Sequence, residues 1–336
     1  MFHHILVPLD ESPRAEQALP VALRLASASG ATLTLLRVIT PLLEFDLNPV
    51  KLSRHINLPL DADIARANEY LTQVISTRDL AGIDVQTEVL TGAAAQSIVL
   101  CAQLHHVDLI VMCSHGLTGF KRWRLGSVAQ HVARHSSAPA LVLHEGGPIL
   151  TARAEDAPRP LCVLVALDGS PLAEAVLLPA AQICTALAAP GRGALHLVQV
   201  LRLLPVREDE DEGGIARMNE PVISDARAYL HAVAPHLREG EAARFDLTVT
   251  SSIVVHTDIA DTLIRVAEHG EFVEDIAGFD GCDVIAMATH GRGGPQRWLM
   301  GSITERVLGA TRLPLLIVRS HQPYAEETSA TQLAKE

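Results

Sequence analysis

Aromatic residues make up only 3% of this 336-residue chain, its 27 basic residues are outnumbered by 39 acidic ones, and its five cysteines stand far apart. Each shortage removes a class of function. A general nucleic-acid or anionic-membrane binder needs a basic stripe and, for single strands, stacking residues; a formal net charge of −12 supplies neither. Any bound anion must then be held locally, by backbone amides and a few basic side chains. Cys101, Cys113, Cys162, Cys184 and Cys282 show no Cys-x-x-Cys spacing, which fits a reducing compartment. Four of them read as small buried hydrophobes, whereas the place of Cys113 leaves packing and reactivity both open. No run approaches the roughly 18 apolar residues of a membrane span, and Met1-Phe-His-His is not a basic leader. A cytoplasmic protein is expected, with no membrane and no nucleic acid among its partners. G-x4-G-K-[ST] and G-x-S-x-G are both absent, and the doublets His3-His4 and His105-His106 lack the i,i+4 spacing of a helical metal pair, so no metal site built from side chains is expected.

What the chain does contain is a repeat. Cys113-Ser-His-Gly-Leu-Thr-Gly-Phe-Lys-Arg-Trp-Arg-Leu-Gly-Ser127 returns as Ala288-Thr-His-Gly-Arg-Gly-Gly-Pro-Gln-Arg-Trp-Leu-Met-Gly-Ser302. A glycine loop between an apolar strand and a helix is a phosphate cradle in physical terms, because glycine leaves its N–H bare and lets an anion approach. The similarity reaches back to His4-Ile-Leu-Val-Pro-Leu-Asp10, which matches Cys162-Val-Leu-Val-Ala-Leu-Asp168. The aspartates are 168 − 10 = 158 positions apart and the loop glycines 291 − 116 = 175, so the second copy carries 17 extra residues. The acidic stretch Arg207–Gly214, read as a solvated loop, and the segment Glu268–Gly281 are the expected places for them. At 48% apolar content each half can bury its own core. The expected boundaries are 1–146 and 160–321 for the two domains, 147–159 for a linker and 322–336 for a polar tail.

Within the first half, strand-like runs at Ile5–Leu9, Thr32–Ile39, Val85–Leu90, Asp108–Met112 and Ala140–Leu143 alternate with helical patterns at Pro13–Ser29, Ala62–Leu80, Ala93–Leu104 and Ser127–His135. Continuous apolar strands separated by helices imply an α/β fold with a parallel sheet covered on both faces. Ligands of such sheets sit beyond the carboxyl ends of the strands. Asp10 and Asp168 end the first strand of each half, followed by Ser12-Pro13 and Ser170-Pro171, a cap-and-proline helix start. The aspartates could fold the turn, complement the helix dipole, or hydrogen-bond a ligand. Lys121, Arg122 and Arg124, with Arg292 and Arg297, could pair with phosphates or be merely solvated. His115 and His290 have no nucleophile and orienting partner at recognisable spacing, so a turn or ligand-adjacent role is expected over a catalytic one.

These residues resemble the universal stress protein family in its tandem form, over nearly all of both halves. Its nucleotide-binding members carry G-x2-G-x9-G-[ST], seen here as Cys113-x2-Gly116-x9-Gly126-Ser127 and Ala288-x2-Gly291-x9-Gly301-Ser302; the first glycine is replaced in both copies. The resemblance implies two tandem doubly wound, Rossmann-like domains, each a five-stranded parallel sheet of order 3-2-1-4-5. It implies ATP as ligand, with Mg2+ or Mn2+ held mostly by phosphates and water. In the first pocket Asp10 would contact the adenosine, Val38 would flank the adenine, Pro8 and Met112 would line the site beside Cys113 and His115, and Gly116, Gly126, Ser127 and Val128 would hold phosphates. In the second, the corresponding set is Asp168, Val200, Ala166, Met287, Ala288, His290, Gly291, Gly301, Ser302 and Ile303.

The final strands, at Ala138–His144 and Leu313–Arg319, are apolar edges that must be covered. The family precedent implies that they pair with each other as an internal pseudo-dimer, with a further homodimer of whole chains. Three functions stay open at this stage: a non-catalytic, ATP-binding regulator of stress response; a slow ATPase or nucleotide-dependent transferase; and a degenerate scaffold that binds no nucleotide.

Overall fold

A computed structural model of the protein describes residues 1–40, 43–44, 55–56, 61–78, 80, 82–115, 126–148, 150, 159–202, 212–239, 244–273, 276, 278–289 and 300–319. Among them are the ten strands of one continuous sheet: β1 (His4–Leu9), β2 (Thr32–Ile39), β3 (Val85–Thr91), β4 (Leu109–Cys113), β5 (Ala140–Leu143), β6 (Leu161–Leu167), β7 (Gly193–Leu201), β8 (Leu247–Val255), β9 (Val284–Ala288) and β10 (Leu315–Val318). Their spatial order is β8-β7-β6-β9-β10-β5-β4-β1-β2-β3. Each half is therefore a parallel 3-2-1-4-5 sheet; the inner strands are short apolar runs because both of their faces are buried, whereas the outer strands β3 and β8 carry polar residues and are partly exposed.

The halves join where the sequence has its apolar edges. β5 and β10 pair antiparallel, Leu316 opposite Leu141, so the two edges cover one another. Residues just past these strands reach across the join. His144 places its ring nitrogens 3.0 Å from the Leu308 and Leu313 carbonyls, and Arg319 donates to the His135 carbonyl at 3.2 Å.

The α-helices α1 (Ala18–Ser29), α2 (Asp61–Ser76), α3 (Ala94–Leu104), α4 (Ser127–His135), α5 (Pro171–Glu174), α6 (Leu177–Ala188), α7 (Glu212–Glu239), α8 (Ile259–His269) and α9 (Ser302–Ala310) form layers on both faces. One apolar cluster joins α1, α2, α6 and α7 to one face of the sheet, and a second joins α3, α4, α8 and α9 to the other. Each cluster draws residues from both halves. Pro171–Ala188 is long and apolar enough to cross a membrane, with mean hydropathy 1.5, contrary to the expectation that no run comes close. Half of that stretch is buried inside the fold, as core helices are.

Two expectations are corrected. The single helix foreseen from Pro13 is a turn and a 3₁₀ segment, Ala15–Gln17, before α1, and its counterpart is split into α5 and α6. Pro20 and Pro179 explain the break. Each is the third residue of its helix, where a missing N–H costs nothing, whereas a helix continuing from upstream would lose a hydrogen bond there. Nor does the acidic stretch hold any of the extra residues. From the end of β2 to the start of β3 is 85 − 39 = 46 positions, and from β7 to β8 is 247 − 201 = 46. Residues 203–211 lie outside the described set, but Glu212, Gly213 and Gly214 already belong to α7. The main insertion is the segment between α8 and β9, with 14 residues (270–283) against four (105–108) in the first half.

Candidate functional site

Both halves build the same arrangement at the carboxyl ends of their first and fourth strands. β1 delivers Asp10, whose Oδ1 accepts the Ser12 N–H at 3.1 Å and the Ser12 hydroxyl at 2.6 Å; Asp168 repeats this with Ser170 at 3.0 and 2.6 Å. The turn-folding reading of the aspartates is thus correct as geometry. Ser170 caps its helix as expected, whereas Ser12 holds only the turn ahead of the 3₁₀ segment, whose own cap residue is Arg14. Ser12 Oγ accepts from the Ala15 N–H at 3.0 Å and Ser170 Oγ from the Ala173 N–H at 3.2 Å.

Register places the other candidates around these carboxylates. Pro8 lies opposite Leu36 and Leu6 opposite Ile110, so continuing by two residues brings Pro8 level with Met112, and Asp10 level with Val38. In the second half Ala166 pairs directly with Met287 and Val198, which sets Asp168 level with Val200. Val38, Met112 and Met287 are buried in the apolar cluster on the α3, α4, α8 and α9 side, with Ala166 and Val200 packed against it. Alternation along β4 turns Cys113 to the opposite face, its thiol 3.9 Å from the Ala15 carbonyl. Burial, with the nearby Asp10 charge adding to it, pushes that thiol up to about 12, so it packs rather than reacts. Ala288 is buried at the end of β9.

Two helix starts complete the site. α4 and α9 are capped by Gly126 and Gly301, and among the described residues no side chain caps either one. The glycine N–H donates to the Ser114 carbonyl in one half and to the Thr289 carbonyl in the other, both at 2.8 Å. At φ −62° and −60° neither glycine needs a left-handed backbone. What demands glycine is space: an added Cβ would lie 2.7 Å from the Ser114 oxygen or 2.9 Å from the Thr289 oxygen. The first intrahelical acceptor, the glycine carbonyl, takes the N–H of Gln130 or Glu305. The N–H groups of Ser127, Val128 and Ala129, and of Ser302, Ile303 and Thr304, therefore point out of the helix ends with the positive end of the dipole behind them. Ser127 and Ser302 are exposed, so their hydroxyls stand on the same side as solvent. Amides, a hydroxyl and a dipole at one strand end, with a carboxylate at the next, can hold an anion and a hydroxyl-bearing group attached to it.

Ser114 and Thr289 were missed in the sequence. Both are 1% exposed, and their carbonyls fix the helix starts; the signal was a hydroxyl residue at the same place in both copies. The Ser114 hydroxyl lies 3.0 Å from His115 Nδ1, but its burial leaves no room for it to attack a substrate. Gly116, Lys121, Arg122 and Arg124, with His290, Gly291, Arg292 and Arg297, lie outside the described residues.

The sequence model of the universal stress protein family matches the chain twice, over residues 1–144 and 162–319. A universal stress protein of Mycolicibacterium smegmatis is 26% identical over 327 residues, covering 94% of this chain and 96% of that protein. Universal stress protein Rv2623 of Mycobacterium tuberculosis is 24% identical over 334 residues, with the same coverage of 94% and 96%. In fold, the chain is similar to a universal stress protein from Archaeoglobus fulgidus DSM 4304, with a TM-score of 0.57 at 21% identity over 95% of this chain and 97% of that one.

Proposed function

The chain belongs to the universal stress protein family, matched by both of its halves, and from that premise we propose that each half binds one ATP and that the protein acts as a non-catalytic, nucleotide-responsive regulator of stress response. The observation that carries the reading is the pair of Gly-Ser helix starts, capped by no side chain among the described residues and set beside strand-end aspartates, repeated with the same contacts in both halves. The helix-end amides and the Ser127 or Ser302 hydroxyl hold phosphate oxygens; Asp10 or Asp168 accepts from the ribose; Val38 and Met112, or Val200 and Met287, lie along the base. Among the described residues, the charge offered to an anion comes from backbone amides rather than from a basic surface. A divalent cation arrives with the phosphates and screens them from one another.

The Cβ at Cys113 and Ala288 is compatible with this pose. Cys113 turns its thiol to the Ala15 side, away from Met112, and alanine adds only a methyl group. Regulation is favoured over hydrolysis because the described polar groups of the site are tied up in holding its shape: Ser12, Ser170 and Ser114 are buried and hydrogen-bonded. The domain boundaries 1–146 and 160–321, a cytoplasmic location and a homodimer of whole chains belong to the same proposal.

Calorimetric titration with MgATP tests it. Two sites per chain are expected, and Gly126→Glu and Gly301→Glu should each remove one of them, because a carboxylate takes the place of a phosphate. Wild-type stoichiometry in both variants would remove the cradles from the account. Release of phosphate over many turnovers per site, lost in both glycine variants, would favour the ATPase reading instead.

A further inference from the structure

We propose that Glu88, Cys101 and His105 form a binding site for a zinc-class divalent cation, under α3 and against the edge strand β3. Cys101 and His105 are four positions apart at the end of α3, so they share one helix face. Glu88 meets them from β3, where it pairs with Leu36, a member of the same apolar cluster as Cys101. Glu88 Oε2 lies 3.2 Å from Cys101 Sγ and 3.1 Å from His105 Nε2, and one donor atom from each of the three falls within 4.8 Å of the others. Donors on one tetrahedral zinc, with bonds of about 2.0–2.3 Å, stand about 3.3–3.6 Å apart. Two edges of the triangle are thus nearly at metal-site length, and rotation of the exposed His105 ring closes the third.

The surroundings favour a cation of this class. Cys101 is 1% exposed, whereas the Glu88 and His105 side chains are 27% and 44% exposed, so the site is closed beneath and open on one side to a water as fourth ligand. A sulfur, an imidazole and a carboxylate select zinc, cobalt or nickel over magnesium or calcium. The backbone holding His105 is fixed twice: its N–H donates to the Cys101 carbonyl at 3.0 Å, and its carbonyl lies 3.0 Å from His4 Nδ1. When the metal–sulfur bond forms the S–H bond breaks, its proton passes to solvent, and no electron is transferred. The second half has no counterpart, since the equivalent positions hold Thr250, Val266 and Gly270. The proposal does not depend on nucleotide binding.

Titrating the full-length, chelator-stripped protein with Co2+, in the absence of nucleotide, is the test. One cobalt per chain is expected, with a thiolate-to-cobalt charge-transfer band that Zn2+ abolishes by displacement. Cobalt held by phosphate or by scattered carboxylates gives no such band. Glu88→Gln and His105→Ala, neither of which opens the core, should each weaken binding by more than about tenfold, and Cys101→Ala should remove the band, while Cys113→Ala and Cys282→Ala leave it intact. Absence of the band in the wild type, or a band indifferent to both Glu88→Gln and His105→Ala, overturns the site and leaves the three groups as a hydrogen-bonded triangle.

Discussion

One substitution made twice in a single helix should change stability in opposite directions. Gly301 caps α9 and Gly309 lies in its exposed last turn. In Gly301→Ala the new Cβ would sit 2.9 Å from the Thr289 oxygen, against an ordinary contact of 3.4–4 Å, while at Gly309 nothing lies within 4 Å. To relieve the overlap, the helix start must move off the β9 tip by about half an ångström, at the expense of the 2.8 Å bond from Gly301 N–H to the Thr289 carbonyl. Overpacking of this kind costs about 1–3 kcal/mol. Gly309→Ala has only the helix-propensity difference to collect, and should stabilise by about 0.5–1 kcal/mol. Urea unfolding followed by circular dichroism measures both. Because the displaced amides are those proposed to hold phosphate, Gly301→Ala should also weaken ATP binding in the second half by about tenfold for each 1.4 kcal/mol lost there, and Gly309→Ala should leave it unchanged. A neutral or stabilising Gly301→Ala would refute the packing argument, and a destabilised variant with wild-type affinity would detach the helix start from the ligand.

Three further outcomes follow from the core and the join. His196 is fully buried, with Nδ1 2.9 Å from the Thr250 hydroxyl and the Phe279 ring packed against it at a tilt of 41°, and burial lowers its pKa to about 4. Above about pH 6.5 it is neutral folded or unfolded; as pH falls the unfolded chain takes up the proton first, so about 3 kcal/mol of stability should drain away by pH 4. His196→Asn should flatten that part of the pH profile in denaturant titrations, and an unchanged profile would rule His196 out as its source. Leu316→Ala, at the buried centre of the β5–β10 join, should cost 2–5 kcal/mol, and since both apolar clusters span the halves, calorimetry should still record one transition. Arg134→Ala breaks a half-exposed ion pair with Glu305 across the same join and should cost under about 1 kcal/mol, falling further at high salt.

Strand positions were legible because a strand buried on both faces is an uninterrupted apolar run. Thr32–Ile39 and Ala140–Leu143 were located to the residue, and the need to cover β5 and β10 followed from their composition. The site was legible through the repeat: a glycine, a serine and an aspartate recurring in step cannot be explained by packing in one half alone. Helix starts read less well. Pro20 and Pro179 fit inside a helical pattern by period, and only the missing N–H shows that the helix must begin anew just before them. Acidity misled about the insertion, because a run of carboxylates at Arg207–Gly214 looks like added loop whether or not it adds length. The Glu88, Cys101 and His105 group escaped notice for another reason. Cys101 stands four residues before one histidine of a doublet, which is a two-ligand spacing at most, and Glu88 reaches the pair only through the β3–α3 packing, which no linear spacing displays. The carbonyls of Ser114 and Thr289 belong to the backbone, so their role emerges only when the helix start is seen against the strand tip.

The claim that two adenine-nucleotide cradles face the carboxyl ends of this sheet is tested most directly by denaturing the purified protein and identifying the small molecules it releases, followed by calorimetric titration of the emptied protein with MgATP. Adenine nucleotide in the supernatant, and saturable heat for two sites per chain, is the expected result. No nucleotide together with no heat of binding would contradict it and leave the protein a scaffold that has kept the fold of its family without the ligand.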